Sequence, residues 1–265
     1  MLDRGPHRWT SFVALGDSFT EGLEDARPDG SYRGWADLVA EALADREQTA
    51  GGSGFRYANL AVRGRLMPQI LAEQVPRALA MQPDLVSLVG GVNDLLRPGF
   101  DAAALHRRLD GAVARLRAGG ADVLLVVGVN PTARSKALTR LMPRVRALNS
   151  AVADVAARHD CLAVDLFHAT VFDDPRMWAP DRLHLSSAGH ERVAGAYLEV
   201  LGVGDDAWRE PLPPMNGAVW WGARRSDAEW AASHLLPWLG RRVRGHSSGL
   251  GLTAKRPDLV SVANG

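Results

Sequence analysis

Short apolar segments alternate with longer segments in which apolar positions recur every three to four residues, up to about residue 203. The short segments are apolar on both faces and predict strands of a parallel sheet, and the longer ones predict amphipathic helices. The predicted strands are residues 12–15, 57–62, 85–89, 123–129 and 162–166. The predicted helices are residues 35–44, 67–80, 102–117, 135–158 and 188–201.

Turn and cap residues punctuate this pattern. Asp101 is a suitable N-cap for the third predicted helix, and Gly119 with Gly120 is a suitable stop for it. Pro76 and Pro143 are expected to kink or interrupt their helices. Strands that alternate with helices at this spacing predict a doubly wound α/β sheet, with a functional site at the carboxyl ends of the strands.

The character of the chain changes near residue 203. Residues 204–265 carry five of the eight tryptophans, and their charge from Arg209 onward is +4, from eight Arg or Lys against four Asp or Glu. We expect one domain over residues 1–203 and a basic, Trp-rich extension over residues 204–265 that packs on it. Residues 227–239 fit one short helix, and the last twenty residues or so show little periodicity and are expected to be irregular and partly mobile.

Composition restricts the class of protein. The 265 residues are 46% hydrophobic and 23% charged with a net charge of +1, which is typical of a soluble globular protein and does not favour nucleic acid or an anionic membrane. Neither a signal peptide nor an apolar run of the ~20 residues that a membrane span needs is recognisable. Cys161, the single cysteine, is expected to be a buried small hydrophobic residue. These features predict a cytoplasmic protein.

The stretch VALGDSFTEG places Ser18 directly after the first predicted strand. A residue at this point faces the crevice at the sheet's edge, and backbone N–H groups at the start of the next helix can stabilise an anion. Ser18 is therefore a candidate nucleophile, although the stretch taken by itself favours a helix cap. The phosphate-binding patterns G-x-G-x-x-G and G-x-x-x-x-G-K-[ST] are absent here, as is the G-x-S-x-G elbow.

Two further turns follow predicted strands. NLAVRGR contains Gly64, which permits close backbone approach and offers an unhindered N–H. GGVND contains Asn93, whose amide can donate a hydrogen bond to an oxyanion without adding charge. Each is, by itself, also an ordinary turn residue.

The segment APDRLHLSSAGH places Asp181 three residues before His184, ahead of the last predicted helix. This spacing lets the carboxylate accept from His184 Nδ1 and leaves Nε2 available as a base. The alternative is a solvent-exposed Asp–His pair, because D-x-x-H is a common spacing. His190, at the start of the helix, is expected to make a structural hydrogen bond.

Taken together and in order, these segments resemble the conserved blocks of the GDSL, or SGNH, hydrolase superfamily. GDSFTEG resembles its first block, NLAVRG its second, GGVND its third and DRLHLSSAGH its fifth, over roughly residues 10–202. Phe19 replaces the leucine of the family name, at a position of packing. The resemblance implies a flavodoxin-like α/β/α sandwich with five parallel strands in the order 2-1-3-4-5.

The resemblance also implies roles. Ser18 would be the nucleophile, His184 its base and Asp181 the residue that orients His184, while the Ser18 and Gly64 N–H groups and the Asn93 amide would form an oxyanion hole. Asp17 and Asp94 would fix turns by accepting backbone N–H groups. Neither a cofactor nor a metal is implied.

The implied function is serine-dependent hydrolysis of carboxylic esters of short acyl or carbohydrate-linked acyl groups. An acyltransferase that passes the acyl group to a sugar or another hydroxyl uses the same residues and remains open, as does a scaffold that binds partners through its Trp-rich extension. The expected partner is a small-molecule ester, an acylated sugar or a lipid, and the oligomeric state is not predicted. Specificity is expected to lie in residues 23–34, 65–69, 95–100, 131–142 and 170–180. Trp178 either borders an acyl pocket or packs in the core, and Arg134, Lys136 and Arg140 face either solvent or an anionic alcohol portion.

Overall fold

A central sheet organises the protein in the computed structural model, which describes residues 9–132, 136–214, 249 and 251–262. Its strands are short and, except at the edges, buried on both faces. They are β1 (Ser11–Leu15), β2 (Arg56–Asn59), β3 (Leu85–Leu88), β4 (Asp122–Val127), β5 (Leu162–Asp165) and β6 (Arg256–Ser261).

Helices cover both faces of this sheet. The α-helices are α1 (Ser18–Glu21), α2 (Trp35–Thr49), α3 (Met67–Gln69), α4 (Val75–Met81), α5 (Val92–Leu95), α6 (Ala102–Ala118), α7 (Met142–Arg158) and α8 (Ser187–Val200). A π-helical turn over Ile70–Gln74 joins α3 to α4. Short 3₁₀ helices lie at Lys136–Leu141, Thr170–Asp173, Pro175–Met177 and Ala207–Arg209.

The strand order is β5-β4-β3-β1-β2-β6. The first five strands pair in parallel, which confirms the predicted order 2-1-3-4-5 and the α/β class. The sixth strand was not predicted: β6 pairs antiparallel with β2 at the edge of the sheet. The expectation of an irregular chain end is therefore wrong for Arg256–Ser261. These residues escape a search for buried strands because they form a half-exposed edge strand that contains a proline.

The two faces of β1 feed two separate hydrophobic cores. Phe12 and Ala14 pack on the face covered by α2 and α8, whereas Val13 and Leu15 pack on the face covered by α6 and α7. All four side chains are fully buried. This alternation follows from the two-residue period of a strand and explains why the segment is apolar at every position.

Several element ends differ from the prediction, and two of these differences concern the second strand and the helix that contains Pro143. The strand predicted over 57–62 ends at Asn59, although the N–H groups of Leu60 and Val62 still donate to the carbonyls of Ala14 and Gly16. The helix predicted over 135–158 is a 3₁₀ helix followed by α7, and Pro143 lies in the first turn of α7, where its missing N–H costs no hydrogen bond.

The described part of residues 204–265 contacts the rest of the protein at both ends. Trp208 is buried, its ring centroid lies 6.3 Å from that of Phe172, and its Nε1 donates to Glu199. Lys255, just before β6, donates to Asp37 and to the Tyr32 carbonyl. The helix predicted at residues 227–239 and the other four tryptophans of the extension lie outside the described residues. No helix within the described ranges is long and apolar enough to cross a membrane.

Candidate active site

Ser18 lies just after the carboxyl end of β1. The next two strands along the chain, β2 and β3, lie on opposite sides of β1, which makes this end of the sheet its topological switch point. The turn into α1 is compact: a Cβ on Gly16 would lie 2.4 Å from Thr20 Oγ1, so that only glycine fits there. Asp17 caps α1 by accepting from the Phe19 N–H at 3.2 Å, as its turn-fixing role predicted. The turn therefore presents the Ser18 side chain at the edge of the sheet.

His184 and Asp181 meet Ser18 from the segment before α8. His184 Nε2 lies 3.1 Å from Ser18 Oγ, and His184 Nδ1 lies 2.6 Å from Asp181 Oδ2. The other oxygen of Asp181 accepts the backbone N–H groups of Leu183 and His184. The structure thus brings together three residues that are up to 166 positions apart in the chain, as the sequence pattern predicted.

The charge of Asp181 is held on the carboxylate. Burial by itself would raise the pKa of this group, but hydrogen bonds from the His184 ring and from two backbone N–H groups, with the attraction of His184, lower the pKa to about 2. An ionised acceptor at Nδ1 keeps the His184 proton on that nitrogen. The lone pair of Nε2 then faces Ser18.

Gly64 lies in the loop after β2 and has a φ of +76°, a left-handed conformation that favours glycine. The preceding residue, Arg63, donates its backbone N–H to Glu21 at 2.7 Å, and its guanidinium also contacts the Glu21 carboxylate. Glu21 belongs to α1, directly after the Ser18 turn. This ion pair therefore fixes the Gly64 loop to the Ser18 turn.

Asn93 is buried in α5 and closes the third side of the site. Its Nδ2 donates to Asp17 Oδ2 and to the Arg65 carbonyl, each at 2.9 Å. Its neighbour Asp94 accepts the Met67 N–H at 2.9 Å and so caps α3, in line with its predicted turn-fixing role. The amide of Asn93 thus joins the Ser18 turn to the Gly64 loop, with both of its hydrogens engaged.

Two backbone N–H groups are candidate donors to an oxyanion. Among the residues that the structure describes, no acceptor is found for the N–H of Ser18 or for the N–H of Gly64. Buried or half-buried N–H groups are normally paired. One of these donors belongs to Ser18 itself, and the other lies on the loop that the Glu21–Arg63 pair fixes to the Ser18 turn. Donors of this kind are suited to a developing negative charge.

An apolar cavity of about 190 Å³ opens beside Ser18 and His184. Leucine and valine side chains dominate its lining, and α5, β4 and α7 contribute some of them. Trp178 borders it, which is one of its two predicted placements, and hydrogen-bonds through Nε1 to the Phe172 carbonyl. Four of the loops expected to set specificity contribute, through Leu23, Leu95, Leu96, Pro131, Leu138, Leu141 and Trp178, whereas no residue of 65–69 lines the cavity.

His190 is a structural residue. Its Nδ1 accepts the Trp35 N–H at 3.2 Å and its Nε2 donates to the Leu23 carbonyl at 3.3 Å. Burial lowers its pKa to about 4, so that the ring is neutral at physiological pH. Both ring nitrogens are engaged, which confirms the prediction of a structural hydrogen bond.

Two further groups near the site carry no recognisable sequence signal. Gln74 lies in the π-helical turn and pairs with the backbone of Gly16, and Glu21 pairs with Arg63. A glutamine in a helix and a glutamate after a turn are too common to single out by pattern. Cys161, which was expected to be buried, is half-buried, and burial raises its pKa to about 11, which disfavours the thiolate form that a nucleophile needs. Within the described ranges, no group of three or more His, Cys, Asp or Glu is arranged to hold a metal ion.

Comparison with known proteins agrees with the sequence resemblance. A sequence model of the GDSL-like lipase/acylhydrolase family matches residues 14–192. The match covers well over half of the chain and includes every residue of the site described above. The protein therefore belongs to the GDSL-like lipase/acylhydrolase family, and it is an ester hydrolase of the SGNH type. A search of curated proteins found no significant match.

Solved structures show the same fold. LAE5, an α/β hydrolase enzyme from the metagenome of Lake Arreo, Spain, is 23% identical with a TM-score of 0.63, over 76% of this chain and 100% of its own. TesA is 27% identical with a TM-score of 0.58, over 72% of this chain and 97% of its own. Axe2, an acetylxylan esterase from Geobacillus stearothermophilus, is 21% identical with a TM-score of 0.61, over 74% of this chain and 97% of its own.

Proposed function

We propose that the protein hydrolyses carboxylic esters through an acyl-enzyme formed on Ser18. The observation that carries the proposal is the chain of contacts from Ser18 Oγ to His184 Nε2 at 3.1 Å and from His184 Nδ1 to Asp181 at 2.6 Å. These distances lie within hydrogen-bond reach, which is what general-base activation of a serine requires.

The proton transfers follow from this geometry. His184 Nε2 removes the Ser18 proton as Oγ attacks the acyl carbonyl, and it returns the proton to the departing alcohol. A water molecule then attacks the acyl carbon as Nε2 removes its proton, and the bond between the acyl carbon and Ser18 Oγ breaks. Nε2 returns the proton to Oγ, which releases the acid and restores Ser18. Asp181 stays ionised throughout, because its low pKa opposes protonation, and it stabilises the imidazolium.

The oxyanion would be stabilised by the N–H groups of Ser18 and Gly64 and by the Asn93 amide. The two backbone donors have no acceptor among the described residues. Asn93 Nδ2 already donates to Asp17 and Arg65, so it reaches the oxyanion by exchanging the bond to the Arg65 carbonyl. Catalytic hydrogen bonds often form fully only in the transition state, and the loss of one such donor typically costs about 2.7–4 kcal/mol.

The cavity beside Ser18 favours an apolar acyl group. An apolar cavity of about 150 Å³ holds one benzene ring, so a cavity of about 190 Å³ accommodates an acyl chain of roughly six to eight carbons. Acetyl and butyryl esters also fit. The similarity to the acetylxylan esterase Axe2 supports acetylated sugars as one substrate class to be tested.

A series of p-nitrophenyl esters from acetate to palmitate tests the proposal. We expect hydrolysis that rises towards medium chains and declines for palmitate, and Ser18→Ala is expected to remove at least ~10³ of the rate. Mass spectrometry of rapidly quenched enzyme should find the acyl group on Ser18. Wild-type turnover by Ser18→Ala would rule out the mechanism.

A cavity variant tests the acyl pocket separately. Val145→Phe fills the cavity from α7 and is expected to lower octanoate hydrolysis at least about tenfold relative to acetate. Ser150→Phe adds the same ring on the exposed face of α7 and serves as the control. An unchanged ratio of octanoate to acetate hydrolysis in Val145→Phe would place the acyl group elsewhere.

The acyltransferase alternative is tested by adding sugar and alcohol acceptors to the same assay. Acyl transfer would appear as a new ester product.

A further inference from the structure

We propose that Gln74 is a positioning residue, which holds the Ser18 turn and the Gly64 loop in register through the backbone of Gly16. The inference rests on the function proposed for Ser18. It arises from a buried glutamine, 4% exposed, that is 58 residues away from the turn in sequence and that no part of the proton-transfer chain uses.

The Gln74 amide pairs with both backbone groups of Gly16. Its Oε1 accepts the Gly16 N–H at 2.8 Å, and its Nε2 donates to the Gly16 carbonyl at 2.9 Å. These two hydrogen bonds resemble those that a neighbouring strand makes with one residue of a sheet. Here a side chain provides them, just after β1 has ended. It fixes the peptide units on both sides of Gly16, two residues before Ser18.

The Gly16 carbonyl also accepts the N–H of Val62 at 3.2 Å. Val62 lies two residues before Gly64, so one carbonyl receives a donor from the Gly64 loop and a donor from Gln74. The two backbone N–H groups proposed for the oxyanion hole, those of Ser18 and Gly64, are thus tied to the same peptide unit. Their separation depends on where Gln74 holds that unit.

The π-helical turn over Ile70–Gln74 explains how the glutamine reaches this position. Pro76 lacks an N–H and its ring crowds the carbonyl four residues earlier, which disfavours a regular α-helix through this point. The wider turn accommodates the proline and changes the direction of the side chain at its last residue, Gln74. Such π-turns are frequent at functional sites.

A purely structural role is the alternative, and the protein contains a matched side-chain–backbone pair, away from the oxyanion hole, with which to test it. At the end of β4, Asn149 Oδ1 accepts the Gly128 N–H at 3.0 Å and Asn149 Nδ2 donates to the Gly128 carbonyl at 3.1 Å. The Asn149–Gly128 pair lies on the wall of the cavity, and it holds no residue of the proposed oxyanion hole. Variants of the two pairs therefore distinguish a loss of stability from a loss of alignment at Ser18.

Gln74→Met tests the inference, because methionine has a similar volume and makes neither hydrogen bond. We expect kcat to fall about 10²-fold for p-nitrophenyl acetate and octanoate alike, since a displacement of about 1 Å at a reacting group has that cost, while KM changes less than about threefold. The rate at which a fluorophosphonate labels Ser18 should fall in proportion to kcat. The melting temperature is measured alongside.

Asn149→Leu provides the comparison. We expect it to lower the melting temperature to a similar extent but to act mainly on KM for octanoate. An equal fall of kcat in both variants, in proportion to their loss of melting temperature, would overturn the inference and leave Gln74 a structural residue.

Gln74→Asn covers the case in which Gln74→Met does not fold. It keeps a neutral amide but is one methylene shorter, so it cannot keep both hydrogen bonds to Gly16 in their present geometry, and kcat should fall by a smaller factor than in Gln74→Met. Wild-type labelling at Ser18 together with unaltered labelling in the Gln74 variants would reject the inference while the proposed function stands. Absence of labelling in the wild-type protein would reject the proposed function itself.

Discussion

The protein contains two Asp-x-x-His segments that are almost superimposable in their hydrogen bonds and different in everything around them. In Asp165–His168, one carboxylate oxygen accepts two backbone N–H groups, and the other lies 2.7 Å from the ring Nδ1. In Asp181–His184 the same oxygens accept the same kinds of donor, and the distance to Nδ1 is 2.6 Å. The local geometry of the pair is thus a property of the spacing alone.

The surroundings differ sharply. The side chains of His168 and Asp165 are 78% and 51% exposed, whereas those of His184 and Asp181 are 19% and 23% exposed. His184 has Ser18 at 3.1 Å from its second nitrogen. An aspartate readily accepts backbone N–H groups two and three residues ahead, so the turn forms in either setting. Chemistry requires the partial burial and the serine, which only the fold provides.

The largest expected effect separates the two histidines. His184→Ala is expected to lower kcat/KM for p-nitrophenyl acetate at least about 10⁴-fold, because it removes the proposed base, whereas His168→Ala should leave it within about twofold. Steady-state assays of both variants, with circular dichroism as a check of folding, decide the matter. Comparable losses in the two variants would show that burial and Ser18 do not distinguish the pairs.

The aspartates sharpen the same contrast. Asp181→Asn keeps the shape of the side chain but removes the ionised acceptor at His184 Nδ1, and we expect kcat to fall about 10³-fold. Asp165→Asn is the matched control and should have wild-type kinetics. A fall of less than about tenfold in Asp181→Asn would mean that His184 is oriented chiefly by its backbone.

The sequence predicted the central strands because their burial on both faces leaves apolar residues at every position. It did not predict β6, since an edge strand carries no such run and Pro257 interrupts its pattern. The ends of the second and fourth strands were placed too late. Apolar residues such as Leu60 and Val129 continue past the end of the regular strand and pack against the two cores.

The candidate site was predictable only as a set. The D-x-x-H spacing alone selects Asp165 and Asp181 equally, and Ser18 alone is also an ordinary cap. The ordered blocks around Ser18, Gly64, Asn93 and His184 match a family pattern, and this match selects Asp181 over Asp165 and a nucleophile over a simple cap. Residues that act through the backbone, such as Gln74 and Glu21, belong to no motif. Their role depends on contacts between segments that are 58 and 42 residues apart.

Acid stability provides a smaller and quantitative contrast. The pKa of Asp181 is lowered from 3.8 to about 2 in the folded protein. The ionised Asp181 therefore stabilises the folded state at pH values above its unfolded pKa, and this stabilisation is lost as the pH falls through about 2. The shift corresponds to about 2 kcal/mol. Urea unfolding between pH 2 and 6 should therefore show a weaker pH dependence in Asp181→Asn than in the wild type, and equal slopes would contradict the assigned pKa.

The smallest expected effect concerns the exposed pair. A double-mutant cycle on Asp165 and His168, measured by urea unfolding, should give a coupling free energy of no more than about 0.5 kcal/mol, because water screens the interaction of two exposed side chains. The same cycle on Asp181 and His184 should give a larger value, since both side chains are mostly buried and charge-assisted hydrogen bonds are stronger there. Added salt should weaken the first coupling and change the second little. Equal coupling free energies would mean that the strength of each Asp–His pair, like its geometry, does not depend on burial. The functional difference between the two pairs would then depend on Ser18 alone.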